Sequence, residues 1–152
     1  ITSAVAARHD PHFCIVARTD ALAIAGMGET LDRACKYARA GADLIFVEAC
    51  TELEQYRRFK KVAAVPILAN LTEFGKTPLF TLSELDEVGV DVALYPLSAF
   101  RAMSDAAEKV YSTIREKGTQ SGLLKRMQSR DALYEVLNYH SYERQIDDLL
   151  DK

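Results

Sequence analysis

Four short apolar runs mark the chain: Phe13–Ala17, Leu44–Ala49, Val65–Asn70 and Val90–Tyr95. Each is continuous rather than alternating, the pattern of strands covered on both faces. Between them the apolar positions recur at helical spacing. Leu31, Ala34, Cys35 and Ala38 share one face of a helix predicted over Glu29–Ala40, with Gly41 as its C-terminal stop. Leu53, Tyr56 and Phe59 mark a second helix over Glu52–Val62. Thr51 and Glu54 stand at capping-box spacing before it, a hydroxyl for a free backbone N–H and a carboxylate to reach back. Thr81 and Glu84 repeat that spacing before a third helix ending near Gly89.

Strands alternating with helices imply βαβ units and a parallel sheet with right-handed crossovers. A doubly wound nucleotide-binding sheet needs a glycine fingerprint after its first strand, and Gly26 and Gly28 lack the third glycine. A (β/α)8 TIM barrel instead gathers polar residues at the C-terminal ends of its strands. That is the pattern here: Arg18-Thr19-Asp20, Glu48, Asn70-Leu71-Thr72-Glu73 and Tyr95-Pro96 each follow an apolar run. A whole barrel takes about 250 residues. Four strands are half of one, and an isolated half would leave two sheet edges open. The expectation is therefore a C-terminal half-barrel of four parallel strands over residues 1–118, with an N-terminal half-barrel preceding Ile1.

After Pro96 the pattern is wholly helical. Phe100, Met103, Ala107, Val110, Tyr111 and Ile114 trace one stripe that Gly118 ends. A further stretch from Gly122 to Tyr139 carries Leu123, Leu124, Met127, Leu133, Val136 and Leu137, and an amphipathic tail follows with Tyr142, Ile146, Leu149 and Leu150. Residues 119–152 thus form a helical extension that a barrel does not require. It packs either on its own barrel or on another subunit.

Composition narrows the partners. Of 152 residues 49% are hydrophobic and 27% charged, enough for a core, and the net charge of −3 leaves no basic field for nucleic acid. No apolar run approaches the roughly 18 residues of a membrane helix. Cys14, Cys35 and Cys50 are odd in number and form no C-x-x-C pair, which suits a reducing, cytoplasmic setting. Cys14 and Cys35 read as core residues, and Cys50 as either core or site lining.

Arg18 has the planar fork that suits a carboxylate or an enolate oxygen, or else forms a surface ion pair. Asp20 reads as its support. Glu48, at the end of an apolar strand, is expensive to bury without a partner, so it pairs with a cation, a metal-bound water or a protonated group, or forms a rim ion pair. Asn70 and Thr72 can orient a polyanion without adding like charge, though both are common turn residues. Lys76-Thr77-Pro78 suits a lid or a carboxylate clamp, and Glu73 reads equally well as a solvated residue. Arg101, soon after the fourth strand, can face the same end. Periodicity gives Arg130 no reason to be functional. His9, His12 and His140 form no metal-ligand spacing. Nothing in these spacings fixes a reaction.

Several segments carry a resemblance: Ala17-Arg18-Thr19-Asp20-Ala21, Phe46-Val47-Glu48-Ala49, Pro66 through Gly75 (Pro-Ile-Leu-Ala-Asn-Leu-Thr-Glu-Phe-Gly), Ala93 through Met103, Gly118-Thr119-Gln120 and Met127-Gln128-Ser129-Arg130. In this order, over essentially the whole chain, the sequence resembles the bacterial 2-methylisocitrate lyases of the isocitrate lyase and phosphoenolpyruvate mutase superfamily. The Arg-Thr-Asp segment is shared across that superfamily. The Asn-Leu-Thr-Glu-Phe-Gly and Leu-Tyr-Pro-Leu-Ser-Ala-Phe-Arg segments are much more specific.

The resemblance implies a Mg²⁺-dependent barrel that cleaves 2-methylisocitrate, a tricarboxylate, to pyruvate and succinate in propionate breakdown. It implies Arg18 and Glu48 as catalytic residues, and Arg18, Glu48, Asn70, Leu71, Thr72, Arg101 and Arg130 as substrate contacts. Mg²⁺ and Arg18 would stabilise a pyruvate enolate. It also implies a homotetramer whose C-terminal helices exchange between subunits. The family's direct metal ligands and its proposed catalytic cysteine belong to the first half of the barrel, so no metal ligand is expected in this segment, and the segment alone is expected to be inactive. An oxaloacetate decarboxylase or another superfamily member is the alternative enzyme. A non-catalytic half-barrel that serves as an assembly module is the alternative of another class.

Overall fold

The structure, a computed structural model, describes residues 1–150. Its contacts divide the chain into two units, Ile1–Arg101 and the residues from Ala102 onward.

The first unit begins with a short helix, α1 (Thr2–Ala7), and alternates β1 (Val16–Thr19), α2 (Leu22–Arg39), β2 (Leu44–Val47), α3 (Leu53–Ala63), β3 (Ile67–Asn70), α4 (Leu82–Glu87) and β4 (Val92–Leu94). The four strands form one parallel sheet in the order β1-β2-β3-β4. This is the half-barrel architecture that the apolar runs predict. β1 begins three residues later than the run at Phe13: Phe13 and Cys14 are exposed, and the buried Ile15 gives its N–H to the Asp43 side chain instead of to a strand. Cys14 is therefore not a core residue.

The register sorts the strand side chains into two faces. Ala17, Ile45 and Ile67 align in one row, and Thr19, Val47, Ala69 and Ala93 in the next. These rows pack with Ala34 of α2, with Tyr56, Phe59 and Ala63 of α3, and with Leu85 of α4. The alternate residues stand on the opposite face. There Leu44 and Leu68 are buried, but Val16 of β1 and Val92 of β4 are exposed, so the edge strands alternate where the sequence reads as continuous. The core thus lies between sheet and helices.

Local chemistry explains the helix limits. α2 starts earlier than its stripe suggests and is broken at Gly26, whose φ of 75° suits glycine; Thr30 Oγ1 donates to the Gly26 carbonyl at 2.7 Å. The cap of α3 sits one residue later than Thr51: Glu52 is the N-cap, and Gln55 Oε1 accepts the N–H of Thr51 at 2.7 Å and of Glu52 at 3.3 Å. Gln55 at the third helical position thus does what the sequence reading assigns to Glu54. Thr81 and Glu84 form the expected reciprocal box on α4. Cys50 is fully buried, and burial pushes its thiol up to about 12, so it is a packing residue with no thiolate character.

Two aspartates clamp the sheet at its N-terminal end. Asp43 Oδ2 accepts the Ile15 N–H at 2.8 Å while its own N–H donates to the Ile15 carbonyl. Asp91 does the same with Ile67, again at 2.8 Å. Each follows a glycine with positive φ by two residues, Gly41 and Gly89, and each carries a cation, Arg8 at 2.7 Å or Lys60 at 2.7 Å. The Ile15 N–H, helped by Arg8, holds the Asp43 carboxyl below the usual range. Burial works to raise that of Asp91, but Lys60 and the Ile67 N–H outweigh it and hold it low as well. Both folded values are depressed, so this stability is present above the ordinary carboxylate range and is lost as pH falls through the folded values. Asp91→Ala leaves the buried Ile67 N–H without its acceptor. It is expected to cost about 2 kcal/mol at neutral pH and to flatten stability against pH below about 4, measured by urea unfolding of the chain.

The second unit continues α5 (Ser98–Lys117), which Gly118 ends at a φ of 68°. The stretch expected from 122 to 139 is divided. A 3-10 turn spans Ser121–Arg126, Met127 is extended, and Ser129 caps α6 (Arg130–Leu137) by accepting the Ala132 N–H at 3.2 Å. Asn138, left-handed at φ 51°, separates it from α7 (Tyr139–Leu150). Leu133, Val136, Leu137, Ile146, Leu149 and Leu150 are exposed in the chain.

Candidate functional site

Parallel strands present all their C-terminal ends on one side, so residues far apart in sequence meet there. Arg18 is the third residue of β1 and pairs in register with Phe46. Glu48 directly follows β2, and its N–H donates to the Thr19 carbonyl at 3.1 Å, which carries the ladder one step further. Ala49 then turns the chain away at a φ of 60°, a left-handed conformation uncommon for a residue other than glycine. Asn70 ends β3.

These side chains form a continuous string. Asp20 accepts from Arg18 Nε at 3.0 Å and Nη2 at 2.7 Å. Arg18 Nη2 also lies 3.2 Å from Glu48 Oε2. The same Glu48 oxygen accepts from Asn70 Nδ2 at 3.3 Å, and Asn70 Oδ1 accepts the Thr72 hydroxyl at 3.0 Å. Phe46 lies under the guanidinium, with Cζ 4.8 Å from the ring centre. The hydrogen bond to Asp20 raises the Arg18 pKa, and Arg18 holds the Asp20 carboxyl below its ordinary value. Arg18 is thus a fixed cation, half exposed, with Nε and Nη2 engaged and Nη1 without a hydrogen bond among the described residues. A ligand carboxylate or alkoxide can approach that nitrogen.

A second grouping joins the ends of β3 and β4. Glu73 accepts the Ser98 hydroxyl, and its other oxygen faces Arg101 Nε at 3.7 Å. Arg101 also stacks over Phe74, with Cζ 5.4 Å from the ring centre. A tight turn presents Phe74: the Gly75 N–H donates to the Thr72 carbonyl at 3.2 Å, and Phe74 has a φ of 63°. The Ser98 bond chiefly holds the Glu73 carboxyl below its usual value.

Arg18, Glu48, Asn70 and Thr72 therefore meet at one end of the sheet. Arg101 reaches the same strand ends through Glu73. Leu71 turns into the core, 1% exposed, and its N–H donates to the Leu94 carbonyl at 2.9 Å, which leaves only its own carbonyl for a ligand. Arg130 is the first residue of α6 in the second unit. Asp20 takes the supporting role expected of it. Nothing in the pattern of apolar runs singles out Phe46, Phe74 or Ser98. The spacing of Ser98 and Arg101, one helical turn apart, is the signal that would have paired them.

The described residues do not by themselves fit a divalent cation. No group of three or more His, Cys, Asp or Glu suited to a metal stands together among them. The two carboxylates of the string, Asp20 and Glu48, are both committed to Arg18.

The phosphoenolpyruvate phosphomutase family model matches residues 1–115. The chain is 59% identical over 149 residues to 2-methylisocitrate lyase of Salmonella typhimurium and 54% identical over 149 residues to that of Escherichia coli; each match covers 98% of this chain and 50% of the relative. The chain thus spans about half the length of these curated relatives. Among solved structures, it is similar to 2,3-dimethylmalate lyase, with 28% identity and a TM-score of 0.77 over 90% of this chain and 48% of that one. It is also similar to a phosphonopyruvate hydrolase in complex with oxalate and Mg²⁺, with 26% identity and a TM-score of 0.79 over 99% of this chain and 54% of that one.

Proposed function

The chain belongs to the phosphoenolpyruvate phosphomutase family, and on that premise we propose that it supplies the C-terminal half of the barrel, residues 1–118, of a lyase that cleaves 2-methylisocitrate to pyruvate and succinate. The observation that carries this reading is the string Asp20–Arg18–Glu48–Asn70–Thr72 across three strand ends. Its likeness to the Salmonella and Escherichia enzymes over 98% of the chain supports the choice of substrate.

The substrate hydroxyl gives its proton to Glu48, the carbon–carbon bond breaks, and the alkoxide carbon becomes the ketone of pyruvate. The bonding electrons pass to the other fragment, which takes up a proton to become succinate. The charge that builds therefore moves from the alkoxide to the succinate-forming carboxylate, and not onto pyruvate as an enolate, as the family resemblance first suggests. Arg18 Nη1 meets the alkoxide and the adjacent carboxylate, and Glu48 faces the hydroxyl. Asn70, Thr72, the Leu71 carbonyl and Arg101 hold the carboxylates of the succinate-forming part; Arg130, in the second unit, is assigned to substrate binding on the family resemblance alone.

We assign Mg²⁺ to the whole protein as its cofactor, supported by the oxalate and Mg²⁺ bound by the related phosphonopyruvate hydrolase, and place its direct ligands outside these residues. We place the protein in the cytoplasm; no helix among the described residues is long and apolar enough to cross a membrane. We also propose a homotetramer in which the helices after residue 118 exchange between subunits, supported by the exposed Leu133, Val136, Leu137 and Ile146. A whole protein that sediments as a monomer at micromolar concentration would sink the assembly. The functional test supplies the whole protein with Mg²⁺ and 2-methylisocitrate, with isocitrate and oxaloacetate as competitors. Equal release of pyruvate and succinate is expected. A preference for oxaloacetate would instead establish the decarboxylase reading.

A further inference from the structure

Glu73 lies three residues past Asn70, in the turn that follows β3. One carboxylate oxygen takes the Ser98 hydroxyl from the first turn of α5. The other, Oε2, is buried and has no hydrogen bond. It faces Arg101 Nε, but at 3.7 Å the pair is an ion pair and not a hydrogen bond. The opposite restraint on Arg101 is the face of Phe74. Phe74 is almost fully exposed and held at a positive φ, a placement that burial of its ring does not explain. The Arg101 side chain is 45% exposed, and its guanidinium makes no hydrogen bond among the described residues.

We infer that Glu73 is a positioning residue, which holds the Arg101 guanidinium against Phe74 with its donors free for a carboxylate of the substrate. The inference rests on the proposed role of Arg101 in gripping the succinate-forming part. An arginine tied by hydrogen bonds would have to break them to bind. One held by charge and an aromatic face is oriented while its planar fork stays available. Glu73 is the negative partner that makes this possible, and the Ser98 hydroxyl anchors its other oxygen. A merely structural Glu73, a tie between the loop and α5, would affect folding and leave substrate binding alone.

The test uses the whole protein. Glu73→Gln keeps the shape and the Ser98 contact but removes the charge. KM for 2-methylisocitrate is expected to rise about tenfold with kcat within twofold, the signature of lost uniform binding. A lower melting temperature with unchanged KM would overturn the inference. Ser98→Ala serves if Glu73→Gln does not fold. Without the hydroxyl the Glu73 carboxylate loses its anchor on α5, so KM at pH 7 is expected to rise severalfold with kcat within twofold. An unchanged KM would overturn the inference. Succinate binding by calorimetry separates this inference from the proposed reaction. Absence of turnover in the wild type would sink the lyase reading, whereas a tenfold weaker succinate Kd in Glu73→Gln would still support the positioning role, and an unchanged Kd would end it.

Discussion

Replacing Arg18 with lysine in the whole protein is expected to slow the chemical step by about 2 to 4 kcal/mol in the barrier, as for loss of a preorganised donor to an oxyanion, here the alkoxide that forms as the hydroxyl is deprotonated. Lysine keeps the charge but not the fork. In the structure the fork does three things at once: Nε and Nη2 lock onto Asp20, Nη2 leans on Glu48, and the plane lies on Phe46. That leaves Nη1 aimed by its neighbours rather than by the substrate. An ammonium group cannot satisfy Asp20 and a substrate oxygen in that geometry. Steady-state release of pyruvate from 2-methylisocitrate measures the effect. A fall in kcat and in kcat/KM together is the expected result. A raised KM with kcat unchanged would mean that Arg18 only anchors a ground-state carboxylate.

Phe59→Ala is expected to destabilise the chain by about 3 to 5 kcal/mol, the range for truncating a buried phenylalanine. Phe59 is fully buried on the inner face of α3, in one cluster with Tyr56 and Ala63 of the same helix and with Ile45 and Ile67 of the sheet. Helices and sheet rows on both sides are fixed by their own packing, so the void cannot close cheaply. The control is Val62→Ala on the exposed side of the same helix, 39% exposed, expected to change stability by less than about 1 kcal/mol. Urea unfolding of the chain compares the two. A Phe59→Ala cost no larger than that of the control would show that α3 does not hold the sheet.

The four strands, their parallel order and the residues at their C-terminal ends are legible in the sequence, because a continuous apolar run followed by a polar residue is a local signal. The edges of those strands are less so. Phe13 belongs to an apolar run yet is exposed, and β1 begins at Val16. Whether an apolar residue is covered depends on what packs over it, which a run of letters does not contain. The cap of α3 moved from Thr51 to Glu52 because Gln55 can reach two N–H groups, a choice between near-equal partners that only geometry decides. Arg18, Glu48 and Asn70 were legible as separate candidates. Their joining through one oxygen of Glu48 was not, since it depends on register across strands more than twenty residues apart.

The order β1-β2-β3-β4 also bears on how the chain reaches its native state. Each strand pairs only with its neighbours in sequence: Ala17 with Ile45, Ile45 with Ile67, Leu68 with Val92. Among these four strands no pairing spans more than one βα unit; closing the proposed barrel would still bring the edges of β1 and β4 to strands outside these residues. Loop-closure entropy is met in small, similar instalments as each helix folds back over its strand. Parallel pairing is slow to nucleate because each strand must first close a whole helical crossover, but here each crossover spans only one βα unit, so the strands can add one unit at a time. As the chain emerges during synthesis, each new strand therefore finds its template already in place.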